Sequence, residues 1–195
     1  RDFIVRGFYD EHFRHLDQQV LLVDMLGPMD AGQAALADLK DAMEAVLESF
    51  HYGQNGLLAR LLRFRPRIRR LALCATKVDK VGPRQQRAVQ QCLEDLMVDR
   101  LADVRHGGVE IKGIPLSAIR ATRQEGESLV AGLEGKTGWI RYQPGDIPAH
   151  LPQSLEVNSP ELLPLRPPPG LHRNEPFPHY RMDDLVAWLL GGERL

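Results

Sequence analysis

Two cysteines in 195 residues, Cys74 and Cys92, exclude a disulfide framework. Cys74 lies in an apolar run and Cys92 in a helix-like segment, so both are expected as reduced, buried small hydrophobes of a cytoplasmic protein. Charge of one sign is also lacking. Lys and Arg number 25 against 26 Asp and Glu, a net charge of -1, so bulk charge recruits neither nucleic acid nor membrane. No apolar run approaches the roughly 18 residues of a membrane-spanning helix. The scattered histidines (His12, His15, His51, His106) have no cysteines at metal-site spacing, which argues against a metal cluster. A phosphate-binding loop G-x-x-x-x-G-K-[ST] is missing as well. Gly135-Lys136-Thr137 comes nearest, but Val130 stands where the first glycine belongs, and extended-looking Gly138-Trp139-Ile140 follows where a helix should. That segment reads as a hairpin turn.

What is present is an α/β alternation. With 43% hydrophobic residues, the chain can build one sizeable core plus appendages. Tyr9, Phe13 and Leu16 predict a helix over 8–19, and Val20 to Met25 a first strand. Asp30 is placed as the N-cap of a helix over 31–50, with Leu36, Leu39, Met43, Val46, Leu47 and Phe50 as its apolar stripe. A short helix through Leu61-Leu62 follows Gly53 and Gly56. Arg70 to Thr76 is a second strand, and 83–104 a helix opened by Pro83. Val109 to Leu116 is a third strand. Strand, helix, strand, helix, strand predicts a parallel sheet between helices. Beyond it, Ser128 to Ala131 and Thr137 to Tyr142 suggest a β-hairpin. Pro144 to Pro178 reads as an extended strap, and Arg181 to Leu190 as a closing helix packed through Met182, Leu185, Val186, Trp188 and Leu189.

The chemistry is expected where apolar strands end, because ligands of parallel sheets sit past the carboxyl ends of the strands. Asp24 ends the first strand, and one carboxylate there can anchor Mg²⁺, which keeps most of its waters. Gly27, three residues on, could bring a bare amide to a terminal phosphate, and the loop from Gly27 to Gly32 could change with that phosphate. The alternative is a solvated aspartate. Thr76-Lys77-Val78-Asp79 ends the second strand. A carboxylate can accept from guanine N1 and its exocyclic amine, a lysine stem can lie across the base, and a small hydroxyl can tie loops together. The alternative is an ordinary strand-to-helix turn with Asp79 near a helix start. Ser117-Ala118 ends the third strand and could present an amide to guanine O6. These three elements occur in order on successive predicted strands, and that joint occurrence favours the magnesium and guanine ends of a P-loop GTPase.

A separate feature is electrostatic. Between Glu48 and Asp79 no acidic residue occurs, while Arg60, Arg63, Arg65, Arg67, Arg69 and Arg70 crowd together. They form either a solvated surface or a patch for an acidic partner or an anionic membrane.

The chain resembles the YcjX-like family of bacterial P-loop GTPases. The resemblance is carried by Gly7-Phe8-Tyr9 with Glu11-His12-Phe13, by Leu22-Val23-Asp24 with Pro28, and by Ser49-Phe50-His51-Tyr52-Gly53-Gln54. It continues in Ala75-Thr76-Lys77 with Asp79, in Tyr142-Gln143-Pro144-Gly145 with Pro148-Ala149, and in Pro178-His179-Tyr180-Arg181. It implies a three-layer P-loop NTPase-like domain, incomplete at the amino end, in a stress-associated GTP-hydrolysing protein using GTP or GDP and Mg²⁺. On this reading 1–122 is a partial G-domain, and 123–195 adds hairpin, strap and final helix. Asp24 is then the magnesium-side residue, Lys77 and Asp79 read guanine, and Ser117 and Ala118 complete the pocket. The start at Arg1 adds the expectation of a carboxyl-terminal part of a longer protein, inactive alone because the phosphate contacts lie upstream. Threonine at 76 departs from the asparagine usual before the lysine. A cytoplasmic location follows, with room for peripheral contact at the inner membrane. The alternatives are a degenerate G-domain that holds a partner or membrane without turnover, and an ATP-dependent kinase on the same sheet.

Overall fold

A computed structural model of the chain describes residues 16–49, 68–153, 163–168 and 176–191. Strand β1 (Gln18–Val23), β2 (Arg70–Ala75) and β3 (Glu110–Gly113) form a parallel sheet in that order. The register runs from Gln18 opposite Arg70 to Val23 opposite Ala75, and from Arg70 opposite Glu110 to Leu73 opposite Gly113. Parallel neighbours need long crossovers. Helices α1 (Leu26–Ala31) and α2 (Gln33–Ser49) lie on the first, and α3 (Gln86–Leu96) and α4 (Val98–His106) on the second.

The central strand explains the layers. Leu71 to Ala75 are all fully buried, as a near-continuous apolar run should be in a sheet covered on both faces. Successive side chains alternate between faces. Leu71, Leu73 and Ala75 meet Met25, Met29, Leu36, Met43 and Leu47 on one side, together with Val89, Leu93 and Leu101 of the second crossover. Ala72 and Cys74 face Ile114, Leu116, Leu185 and Trp188, the last two from helix α5 (Met182–Leu189). The result is helix, sheet, helix. Each large apolar side chain so buried is worth about 1.5–3 kcal/mol, and α5 supplies two on its side.

Several element bounds differ from the sequence expectation. Leu16 and Asp17 are not helical and Gln18 and Gln19 belong to β1, where a helix was expected to end; residues 8–15 of that helix, and the helix through Leu61-Leu62, lie outside the described residues. Asp30 sits inside α1 instead of capping α2, because Gly32 at φ +97° breaks the helix after it. Val46 is exposed, leaving Leu36, Met43 and Leu47 as the buried stripe. The helix expected from Pro83 begins at Gln86, after a turn closed by Gln85 N–H to the Gly82 carbonyl, and is jointed at buried Met97. Val186 of α5 faces solvent.

Strand β3 stops early for a visible reason. The Gln90 side chain enters the ladder, accepting from Ala75 N–H at 2.9 Å and donating to the Leu73 carbonyl at 3.0 Å. Beyond that insertion Leu116 N–H rejoins the Ala75 carbonyl at 2.9 Å. Gly113 makes room: a Cβ there would lie 1.8 Å from Glu94 Oε1 and 2.6 Å from Gln90 Nε2.

A second, antiparallel sheet comprises β4 (Thr122–Glu125), β5 (Ser128–Ala131) and β6 (Ile140–Tyr142). The hairpin expected over 128–142 is present, shortened at Gly138 (φ +96°), and β4 is an addition to it. The described parts of the strap carry no helix. Leu151 N–H donates to Asp95 Oδ2 at 3.0 Å, and Cys92 Sγ to the Pro148 carbonyl at 3.4 Å, which lays 145–151 along α3. Further on, Leu165 bridges Leu133 beside the second sheet.

Candidate functional site

The carboxyl ends of β2 and β3 carry the residues singled out in the sequence, and the structure brings them together. After β2 the chain passes through Thr76 and Lys77 into a 3-10 turn, Val78–Lys80. Thr76 N–H and Oγ1–H both reach the Val23 carbonyl, at 2.7 and 3.1 Å, fastening this turn to the end of β1. Lys77 has a left-handed backbone, φ +60° and ψ 24°, shared only with Arg181 among the described non-glycine residues. Such strain costs an L-residue roughly 1–2 kcal/mol and collects at functional sites.

Asp79 is 5% exposed. Its Oδ1 accepts from Ser117 Oγ–H at 2.6 Å and its Oδ2 from Ala121 N–H at 2.8 Å. Asp79 N–H in turn donates to Ser117 Oγ at 3.1 Å, and Thr122 Oγ1–H donates to the Asp79 carbonyl at 2.6 Å. A buried carboxylate is tolerable only with such partners. A carboxylate offers about four lone-pair positions, so the two bonds leave acceptor capacity for a ligand. Ala118 stands exposed on the same loop.

That loop is held from behind. Ser117 and Tyr180 exchange backbone bonds of 3.1 and 2.8 Å, and Arg120 N–H meets the Pro178 carbonyl at 2.5 Å. The Pro178-His179-Tyr180-Arg181 segment therefore clamps the loop and leads directly into α5. Tyr142 stands beside the turn, its hydroxyl donating to the Lys80 carbonyl at 3.4 Å. Burial, with the Asp79 charge adding to it, pushes this phenol up to about 12. Ala121 and Thr122 were not marked by the sequence, and Tyr142 and Tyr180 only as members of segments that carry the family resemblance. Thr122 follows Ser117 by five residues, yet no spacing rule points to it.

Asp24 and Gly27 stand at the end of the neighbouring strand. Asp24 Oδ1 accepts from Gly27 N–H at 3.2 Å, and its Oδ2 is 2.6 Å from Lys77 Nζ. Gly27 belongs to the first turn of α1, so the segment expected as a switching loop is helical up to Ala31. A Cβ on Gly27 would make only ordinary contacts with Asp24. The donor set bears on Mg²⁺ directly. An ammonium lies 2.6 Å from Oδ2, while Mg²⁺ held through water by a single carboxylate would take its remaining ligands from waters and the nucleotide phosphates.

Of the arginine cluster, Arg60, Arg63, Arg65 and Arg67 lie outside the described residues. Arg69 pairs with Asp17 at 2.7 Å. Arg70 turns inward, donating to the Trp188 and Leu189 carbonyls at 3.0 and 3.3 Å and to Glu110 Oε2 at 3.2 Å, with its guanidinium 5.7 Å from the Trp188 ring centre. Burial pushes the Cys74 thiol up to about 12 and Cys92 up to about 11, which removes both as nucleophiles. No described helix is long and apolar enough to cross a membrane.

A three-stranded parallel sheet between helices, with its polar residues gathered past the strand ends, defines an α/β domain of P-loop-like architecture. The profile of the YcjX-like family, DUF463, matches residues 1–194, and the chain belongs to that family. It is similar to a Ras-like GTPase YcjX of Shewanella oneidensis, 34% identical over 202 residues, covering 96% of this chain and 41% of the relative. It is also similar to the Ras-like GTPase YcjX of Escherichia coli K12, 32% identical over 198 residues, covering 96% of this chain and 42% of the relative. The chain thus spans about two fifths of the length of these curated relatives.

Proposed function

We propose that this chain supplies the base-recognition end of a regulatory protein that binds GTP and hydrolyses it, with Mg²⁺ accompanying the phosphates of the nucleotide. The observation that carries this reading is the buried Asp79 carboxylate, fixed between Ser117 and Ala121 at the carboxyl end of the central strand. Its spare acceptor positions match the N1–H and exocyclic amine of guanine. Adenine would turn the N1 lone pair toward the same carboxylate, a repulsive contact. Lys77 would cover one face of the base, Ala118 N–H would meet O6, and Thr76 would set the floor by holding the turn to β1. Gly27 has its amide engaged by Asp24, so it carries less weight as a phosphate contact. Water is the nucleophile, and none of the described residues is assigned as its base. The relatives named as Ras-like GTPases support the same class.

Equilibrium titration of the intact protein with fluorescent guanine and adenine nucleotides tests this. Guanine should be preferred, and Asp79→Asn should weaken it at least about tenfold, since bonds to a charged acceptor are each worth roughly 1.5–3 kcal/mol. The same variant should gain xanthine nucleotide, whose 2-carbonyl accepts from the asparagine amide. A preference for ATP, or no effect of Asp79→Asn, sinks the assignment.

A non-catalytic G-domain that only holds a partner is the second reading. Threonine at 76, in place of the asparagine usual before the lysine, motivates it. Multiple-turnover phosphate release by the intact protein separates the two. Membrane contact through the arginine cluster would fall to Arg60, Arg63, Arg65 and Arg67, since Arg69 and Arg70 are paired internally.

A further inference from the structure

Lys77 and Asp24 are joined by more than proximity. The left-handed backbone of Lys77 is a conformation that a lysine rarely adopts, and it accompanies a 2.6 Å contact from Nζ to Asp24 Oδ2 on the adjacent strand end. Asp24 is itself fixed, because Gly27 N–H holds its other oxygen at 3.2 Å. The side chains of Lys77 and Asp24 are 56% and 36% exposed. An ion pair that open to water contributes little to stability, while ordering a lysine costs side-chain entropy. Fold stabilisation is therefore a poor explanation for this arrangement. The remaining charged groups of the turn are occupied elsewhere: Asp79 by Ser117 and Ala121, and Lys80 by the Leu163 carbonyl at 3.5 Å.

We propose that Asp24 is a positioning residue for base recognition, holding the Lys77 ammonium so that the lysine stem forms a standing wall of the purine slot. This rests on the guanine reading of Asp79 and replaces the magnesium role expected for Asp24. Once the ammonium is anchored, the four methylenes of Lys77 are presented in one direction, and the base meets a preformed surface instead of a mobile chain. Gly27 then serves the slot indirectly, by fixing the carboxylate that fixes the lysine.

The test is GDP affinity of the intact protein, measured by fluorescent-nucleotide titration both with Mg²⁺ and with EDTA. The variants are Asp24→Asn, Lys77→Met and the double substitution. Asparagine can still accept from Gly27 N–H, so Asp24→Asn preserves the local fold. Asp24→Asn should weaken GDP about three- to fivefold, the range of an exposed ion pair, and equally in both buffers. The double variant should bind no more weakly than Lys77→Met alone. An Asp24→Asn loss that disappears in EDTA marks a metal ligand and overturns the proposal. Losses that multiply in the double variant, or an Asp24→Asn protein that binds as wild type does, overturn it too. In those three cases the guanine reading stands. A wild-type protein with no affinity for guanine nucleotide removes that reading, and the positioning role with it.

Discussion

Asp79 and Ser117 bond to each other twice across 38 residues of chain: the Asp79 amide donates to Ser117 Oγ at 3.1 Å, and Ser117 Oγ–H returns to Asp79 Oδ1 at 2.6 Å. The pair locks the ends of two parallel strands to one another. It also aims the carboxylate, because a serine hydroxyl that accepts from the backbone has its own proton directed at the acid.

Ser117→Ala should therefore act on stability and on base selection together. It removes one partner from a buried carboxylate and one from a buried amide, so a loss of about 1–3 kcal/mol is expected in urea unfolding. Guanine affinity should fall in the same variant, whereas Ser117→Thr, which keeps a hydroxyl, should recover part of both. A stable Ser117→Ala protein with unchanged unfolding would contradict the buried pair.

The inserted glutamine leads to a second prediction. Gln90→Leu keeps the volume but leaves Ala75 N–H without its acceptor, and the cost should be about 1–3 kcal/mol. Gly113→Ala should also destabilise, since its methyl group would press on Gln90 Nε2 at 2.6 Å, which is held in the ladder, and displace the flexible end of Glu94 at 1.8 Å. Pairing Gly113→Ala with Glu94→Ala should recover part of that loss in chemical denaturation, because the closest obstacle is then gone. An unimproved double variant would place the obstruction at Gln90 alone.

The parallel sheet was legible because its signal is local: the apolar runs of β1 and β2 and the residues that follow them need no partner to be seen. The approach of Asp79 to Ser117 was legible for the same reason, once the strands were placed in order. Strand β4 was not, because Thr122-Arg123-Gln124-Glu125 is almost wholly exposed and has no apolar period; it exists by pairing with β5. The end of β3 was hidden too. Nothing in Val109 to Leu116 announces that a side chain from α3 will enter the ladder. Composition groups Arg70 with a basic cluster, either solvated surface or binding patch, whereas its environment is set by Trp188, 118 residues away.

That environment makes the third prediction. Arg70 caps the last carbonyls of α5, faces the Trp188 ring and pairs with Glu110, which also accepts from Trp188 Nε1–H at 3.3 Å. Arg70→Lys cannot reproduce this fork of donors. About 1–2 kcal/mol should be lost, with a red shift of tryptophan emission as Trp188, 8% exposed, gains solvent.

Asp95 ties the strap to α3, and its titration gives the tie a pH dependence. Burial alone would raise its carboxyl, but hydrogen bonds from Gln91, from Leu151 N–H and from His150 outweigh this and hold it below the ordinary 3.8. A carboxylate whose folded value is depressed contributes stability that is complete above its unfolded value and is lost as the pH falls through the folded one. The 145–151 segment should therefore stay docked at pH 5 and loosen only in acid below 3.8. The Asp95 carboxyl carbon and the Leu151 amide, followed by NMR, should titrate together with a midpoint below that value. Asp95→Asn should abolish the shared transition. If the Leu151 amide instead moves independently of the Asp95 carboxyl, the strap is held by a different contact.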